Sequence, residues 1–140
     1  MKNGPIILVE DDTDDQELLT DAFRLLGVTN EIKIFENGQK ALDYLRITEI
    51  PPFIILSDVN LPVLNGLQLK AEIQHDDFLR NKSIPFVFLS TSAEKKAVAE
   101  AFQLQVQGFF VKENTFDGIQ EQLKQIIDYW RNSRHPNYKE

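Results

Sequence analysis

The side chains in this sequence best suited to chemistry sit directly after short apolar runs. Glu10, Asp11 and Asp12 follow Ile6–Val9; Asp58 follows Phe53–Leu56 and Ser57; Ser90, Thr91 and Ser92 follow Phe86–Leu89; Lys112 follows Phe109–Val111. If each run is a strand, carboxylates, a hydroxyl and an ammonium converge on one edge of a sheet. Crowded carboxylates repel one another, so some must protonate or a cation must join them. Such oxygen ligands suit Mg²⁺, which favours octahedral geometry and keeps several waters. A carboxylate such as Asp58 is also a nucleophile toward phosphorus, giving an acyl phosphate. Phosphoryl transfer then needs positioning and charge neutralisation more than covalent machinery. Mg²⁺ neutralises one side and Lys112 the other, and the Ser90 hydroxyl bonds a phosphoryl oxygen.

The elements that must position these groups are legible as an alternation of apolar runs and helical stripes, repeated along the chain. After the first run, Thr13 and Gln16 have the spacing of a capping box. Leu18, Leu19, Ala22, Phe23 and Leu26 then recur at helical spacing, and Gly27 stops the helix. Glu31–Phe35 predicts a strand with Ile32 and Ile34 on one face, and Asn37-Gly38 opens a second helix carrying Ala41, Leu42 and Leu45. Pro51 and Pro52 precede the third strand, and a helix from Gly66 carries Leu67, Leu69 and Ile73. Pro85 precedes the fourth strand, and Ser92 is a candidate cap for a helix bearing Ala97, Val98, Ala101 and Phe102. Ile119, Leu123, Ile126, Ile127 and Trp130 form the clearest stripe, after which 132–140 is polar and predicted to fray.

Strands apolar throughout are buried on both faces and need helices on both sides. Alternating elements with short connections imply a parallel sheet with right-handed crossovers. The expectation is α/β, a doubly wound five-stranded parallel sheet of flavodoxin-like type, strand order 2-1-3-4-5. In such sheets ligands bind at the carboxyl ends of the strands, near the switch point, where the polar residues fall.

Composition narrows the classes. The 140 residues are predicted to form one domain with its core between about 5 and 130. There is no cysteine, which excludes disulfides, thiolate metal sites and cysteine nucleophiles. The start lacks the pattern of a signal peptide, and no apolar stretch approaches the ~20 residues that span a bilayer, so a cytoplasmic location is expected. The net charge of −7 disfavours nucleic acid as a partner.

Taken in order and at their spacing, Ile7-Leu8-Val9-Glu10-Asp11-Asp12, Asp58-Val59-Asn60-Leu61-Pro62 with Gly66, Phe88-Leu89-Ser90-Thr91-Ser92 and Gly108-Phe109-Phe110-Val111-Lys112 resemble the receiver domains of two-component response regulators, chemotaxis-regulator-like and stand-alone. The resemblance covers about Pro5 to Trp130. It implies that Asp58 accepts the phosphoryl group. Asp11 and Asp58 would bind Mg²⁺ directly, with the Asn60 backbone carbonyl, and Glu10 would act through water. Lys112 would pair with Asp58 and then with the phosphoryl group. Ser90 would move toward the phosphoryl oxygens, Thr91 would touch them through its backbone, and Phe109 would be the switch aromatic. The implied partners are a histidine kinase or histidine phosphotransfer protein and a downstream protein target. The implied output surface is the family's face of fourth helix, fifth strand and fifth helix. A homodimer through that face or the last helix is a further expectation. The protein would not be a turnover enzyme.

The pattern departs from the family in two places. Glu113 stands where a proline, often with a cis bond, usually follows the lysine, so a trans bond or local strain is expected. Phe109 lacks the hydroxyl of a tyrosine. The long segment from Ile73 to Pro85, with Leu89-Ser90-Thr91-Ser92, resembles the small regulators that partner bacterial phytochrome kinases. Other readings compete. Asp12 serves as a helix cap more simply than as a ligand, and His75 and His135 are expected at the surface. A phosphohydrolase similar to the haloacid dehalogenase group needs an acid where Asn60 stands. A flavin carrier of similar fold gives no reason for the acids. A degenerate receiver that binds a partner without phosphorylation is the remaining alternative.

Overall fold

A computed structural model describes residues 3–92 and 94–136. Its strands are β1 (Ile6–Val9), β2 (Ile32–Phe35), β3 (Ile54–Ser57), β4 (Phe86–Ser90) and β5 (Gly108–Val111). Its helices are α1 (Thr13–Leu25), α2 (Gly38–Ile47), α3 (Gly66–His75), α4 (Asp77–Asn81), α5 (Lys95–Gln103) and α6 (Phe116–Asn132). The strands form one parallel sheet in the order β2-β1-β3-β4-β5, the flavodoxin-like arrangement expected.

The alternation of side chains along each strand divides the core in two. Ile6, Leu8, Ile54, Leu56, Val87 and Leu89 face α1 and α6 and pack with Phe23, Leu123 and Ile127. Ile7, Val9, Ile55, Phe86 and Phe88 face the other helices and pack with Leu42, Leu69, Leu79 and Ala101. Each fully buried side chain of this kind contributes roughly 1.5–3 kcal/mol, so β1, β3 and β4 are anchored from both sides, while the edge strands β2 and β5 are only partly buried. Register then aligns the strand ends. Val9 lies beside Ser57, Ser57 beside Phe88 and Ser90 beside Val111, so the residues that follow emerge on one edge.

Several local expectations are corrected. Thr13 does not cap α1; Asp12 does, as expected of it, its carboxylate accepting from the N–H groups of Asp14 and Asp15. Gln16 closes no capping box; its side-chain amide donates to the Glu10 carbonyl at 2.6 Å. Ser92 does not cap α5, which begins at Lys95 after Glu94 with no side-chain cap bond. Instead the Ser92 N–H donates to the Ser90 hydroxyl at 3.3 Å. The long segment before β4 contains α4, whose cap is Asp76. The family's fourth and fifth helices therefore correspond to α5 and α6. On the edge strand β2, Ile32 packs against the core while Ile34 stays exposed.

His75 is exposed as expected, but His135 is not. It is 2% exposed, its Nε2 lies 2.6 Å from the Phe53 carbonyl, and its ring stacks on Phe53 at 5.6 Å. Beyond α6 the chain turns extended at Ser133 and comes back beneath the start of β3. The tail is thus pinned at His135, while Asn132, Arg134 and Pro136 are exposed; residues 137–140 lie outside the described residues. No helix among the described residues is long and apolar enough to cross a membrane.

Candidate functional site

The site is built from four strand ends. Glu10 and Asp11 continue from β1, and Asp58 continues from β3, held there by its N–H bond to the Val9 carbonyl at 3.0 Å. Carboxylate oxygens of Glu10, Asp11 and Asp58 all lie within 4.8 Å of one another. Such a set of hard oxygen donors fits a divalent cation of the Mg²⁺ type, and repulsion among the carboxylates is lowest with a cation between them.

Asp58 is fixed at one oxygen and open at the other. Its Oδ1 accepts from the Val59 N–H at 2.7 Å and from the Ser90 hydroxyl at 2.7 Å. The Ser90 hydroxyl, expected to travel toward this site, is therefore already in contact with it. Asp58 Oδ2 faces Lys112, whose Nζ is 3.9 Å away, beyond hydrogen-bond reach. Asn60 lies in the loop two residues on, with its N–H 3.4 Å from Asp58 Oδ1. Thr91 is exposed at the end of β4. Phe109 is half-buried, its ring 5.5 Å from that of Phe88.

Lys112 lies within ion-pair distance of Asp58 but hydrogen-bonds two other carboxylates. Its ammonium bonds Glu10 Oε1 at 2.5 Å and Asp15 Oδ2 at 3.1 Å. Burial opposes charge on both partners of the Glu10–Lys112 pair. Desolvation pushes the Glu10 carboxyl up, against the pull of the Lys112 hydrogen bond and charge. The same burial works against the Lys112 ammonium, but the Glu10 hydrogen bond and charge, with Asp58 and Asp15, raise it overall. The ammonium therefore stays charged.

The loop after β5 is held without a proline. No cis peptide bond occurs among the described residues, and Glu113 is not in the left-handed region. The Gln122 side chain on α6 clamps the loop instead. Its amide N–H donates to the Val111 carbonyl at 2.6 Å, and its carbonyl accepts from the Glu113 N–H at 3.1 Å. The N–H that a proline would lack is thus used to brace the backbone on both sides of Lys112.

Sequence reasoning missed two residues here, Asp15 and Gln122. Asp15 stands in the first turn of α1, where an acid is expected for the helix dipole alone. Its one signal was belonging to the run of acids Glu10, Asp11, Asp12, Asp14 and Asp15 after the first strand. Gln122 gave no signal, because a glutamine on a helix is ordinary.

Comparison with known proteins agrees with this geometry. Residues 6–124 match the family described as the response regulator receiver domain. The chain is 33% identical over 129 residues to the probable methanogenesis regulatory protein FilR2 of Methanothrix harundinacea, covering 89% of this chain and 82% of that protein. The phosphorylated cyanobacterial phytochrome response regulator RcpA superposes with a TM-score of 0.84 at 30% identity, covering 93% of this chain and 95% of that one. The Mn²⁺-bound form of response regulator Rcp1 superposes with a TM-score of 0.80 at 27% identity, covering 93% and 96%. With its strand order, its edge of acids, and a family match across most of its length, the chain belongs to the response regulator receiver domain family.

Proposed function

We propose that this receiver takes a phosphoryl group onto Asp58 in an Mg²⁺-dependent reaction, from a histidine kinase or histidine phosphotransfer protein, and thereby switches a protein-binding surface. The observation that carries this is the meeting of Glu10, Asp11 and Asp58 within 4.8 Å, flanked by the Lys112 ammonium and the Ser90 hydroxyl. Asp11, Asp58 and the Asn60 carbonyl would hold the metal, with Glu10 acting through water. When bound, Mg²⁺ supplies charge neutralisation for an incoming phosphoryl group. The Mn²⁺-bound state of the similar Rcp1 supports a divalent ion here.

The chain's own residues then divide the work. Asp58 Oδ2, free of the bonds that hold Oδ1, is the attacking oxygen. The Ser90 hydroxyl and the Thr91 backbone receive the phosphoryl oxygens, and Lys112 compensates their charge. Phe109, in contact with Phe88, reports the new position of Ser90 to the surface. That surface is the face of α5, β5 and α6, where Phe102, Val111 and Tyr129 are exposed hydrophobics. It serves a downstream protein or a second copy of the chain, in the cytoplasm. The net charge of −7 favours a protein over nucleic acid. The transfer is self-directed, followed by autodephosphorylation, with no turnover of a small substrate.

The test is intact-mass measurement after incubation with acetyl phosphate, with and without Mg²⁺, beside Asp58→Asn. A Mg²⁺-dependent gain of one phosphoryl group, lost in the variant, is expected. No gain from acetyl phosphate or a phosphorylated histidine donor, together with no Mg²⁺ binding, would contradict the reading and favour a phosphorylation-independent binding module.

A further inference from the structure

Lys112 is held by two carboxylates before it ever meets a phosphoryl group. An ammonium has three donors and no acceptor. One goes to Glu10 Oε1 at 2.5 Å and one to Asp15 Oδ2 at 3.1 Å. The next carboxylate, Asp58 Oδ2, is 3.9 Å away. The lysine side chain is 5% exposed, so water does not replace these partners. Asp15 is itself fixed: its N–H donates to the Asp12 cap at 3.1 Å, which locks the first turn of α1. The base of Lys112 is fixed as well, by its N–H bond to the Ser90 carbonyl at 2.9 Å and by the Gln122 clamp. Both ends of the side chain are thus anchored, and the one unused donor is left for the Asp58 side.

We propose that Asp15 is a positioning residue for phosphoryl transfer, orienting the Lys112 ammonium so that its remaining N–H addresses the phosphoryl oxygens rather than the resting carboxylate. This rests on Asp58 being the phosphoacceptor. In the transfer, Asp58 Oδ2 forms a bond to phosphorus. The bond from phosphorus to the donor breaks, and its electron pair leaves with the imidazole nitrogen of a phosphohistidine or the acetate oxygen of acetyl phosphate. The new phosphoryl oxygens extend beyond the carboxylate and close the 3.9 Å gap to Lys112. A donor placed where charge develops, and not where the ground state already holds it, favours the transition state selectively.

The proposal separates from plain electrostatics by sign. Asp15→Asn removes a negative charge beside an anionic donor, which by charge alone speeds phosphorylation. Loss of positioning slows it. Asp14→Asn makes the same charge change on the neighbouring exposed residue, which is no partner of Lys112, and serves as the control. With acetyl phosphate and Mg²⁺ in excess, the initial rate for Asp15→Asn is expected to fall about three- to tenfold, the scale of one lost charge-assisted bond, while Asp14→Asn is equal to wild type or faster. A second readout needs no phosphorylation. The side-chain ammonium of Lys112, observed by ¹H–¹⁵N NMR, is expected as a slowly exchanging signal in wild type and Asp14→Asn, and broadened beyond detection in Asp15→Asn. An Asp15→Asn rate equal to or above wild type, or a Lys112 signal unchanged by that substitution, would overturn the proposal. A wild-type protein that takes no phosphoryl group would refute the functional reading, and the ammonium signal would still decide whether Asp15 orients Lys112.

Discussion

Gly66 allows α3 to start directly against the backbone of Asp58. A Cβ at that position would lie 2.2 Å from the Asp58 carbonyl oxygen and 2.6 Å from the Phe88 ring. Backbone cannot yield there without moving the acceptor. Gly66→Ala is therefore expected to destabilise by about 2–3 kcal/mol and to slow labelling of Asp58, as read by denaturant melts and initial phosphorylation rates. The Glu10–Lys112 pair is as sensitive to substitution. Both side chains are almost fully buried, so Lys112→Met leaves Glu10 uncompensated. Breaking such a pair costs about 3–5 kcal/mol, and saturating Mg²⁺ is expected to restore part of it by neutralising the acids, as measured by unfolding with and without the ion. The residues brought together at this edge were legible in the sequence because each is a polar side chain ending an apolar run. Asp15 was not, since nothing in a first-turn acid tells whether it faces solvent or reaches back over the sheet. Nor was the choice of Glu10 over Asp58 as the hydrogen-bond acceptor for Lys112, which depends on distances between separate strands.

Helices and strands were legible in type and order, and less so at their ends. Thr13 and Ser92 both had the chemistry of caps. Asp12 displaced Thr13 because its carboxylate takes two N–H groups at once, and Ser92 was lost because α5 starts later, at Lys95. The short α4 was hidden in a segment whose length alone was unusual. The loop between β3 and α3 also carries a cost that no pattern shows: Val63, a β-branched residue, sits at φ 67°. That region disfavours such a side chain by roughly 1–2 kcal/mol. Val63 is 79% exposed, so Val63→Asn is expected to raise the melting temperature with little effect on packing. The tail after α6 adds a pH dependence. Burial holds the His135 imidazole below its usual range, against the Phe53 carbonyl. The unfolded chain then binds the extra proton more readily. This contribution to stability is complete above the ordinary histidine pKa of about 6.5 and is lost as pH falls below it toward the folded value. His135→Gln is expected to lower the melting temperature near neutral pH and to show a smaller further drop at pH ~5.5 than wild type.

At the scale of the whole molecule, the two-sided core is what makes the edge of polar residues rigid. Leu123 on α6 is fully buried against the β1–β3 side of the sheet. Leu123→Ala is expected to cost about 2–5 kcal/mol, measured by denaturant unfolding, and to spare the geometry at Asp58. The fold was legible because strands apolar on both faces admit few arrangements other than a sheet between two helical layers. The docking of His135 beneath β3 was not, because it joins residues far apart in a stretch that reads as polar tail. Phosphorylation comes down to one bond, between an Asp58 carboxylate oxygen and phosphorus. Treating the protein with acetyl phosphate and Mg²⁺, reducing the acyl phosphate with borohydride, and mapping the modified residue by peptide mass spectrometry reads that bond. Conversion of residue 58, and no other, to homoserine is the predicted result. A phosphoryl group found on a hydroxyl or a histidine, with residue 58 unchanged, would contradict the account.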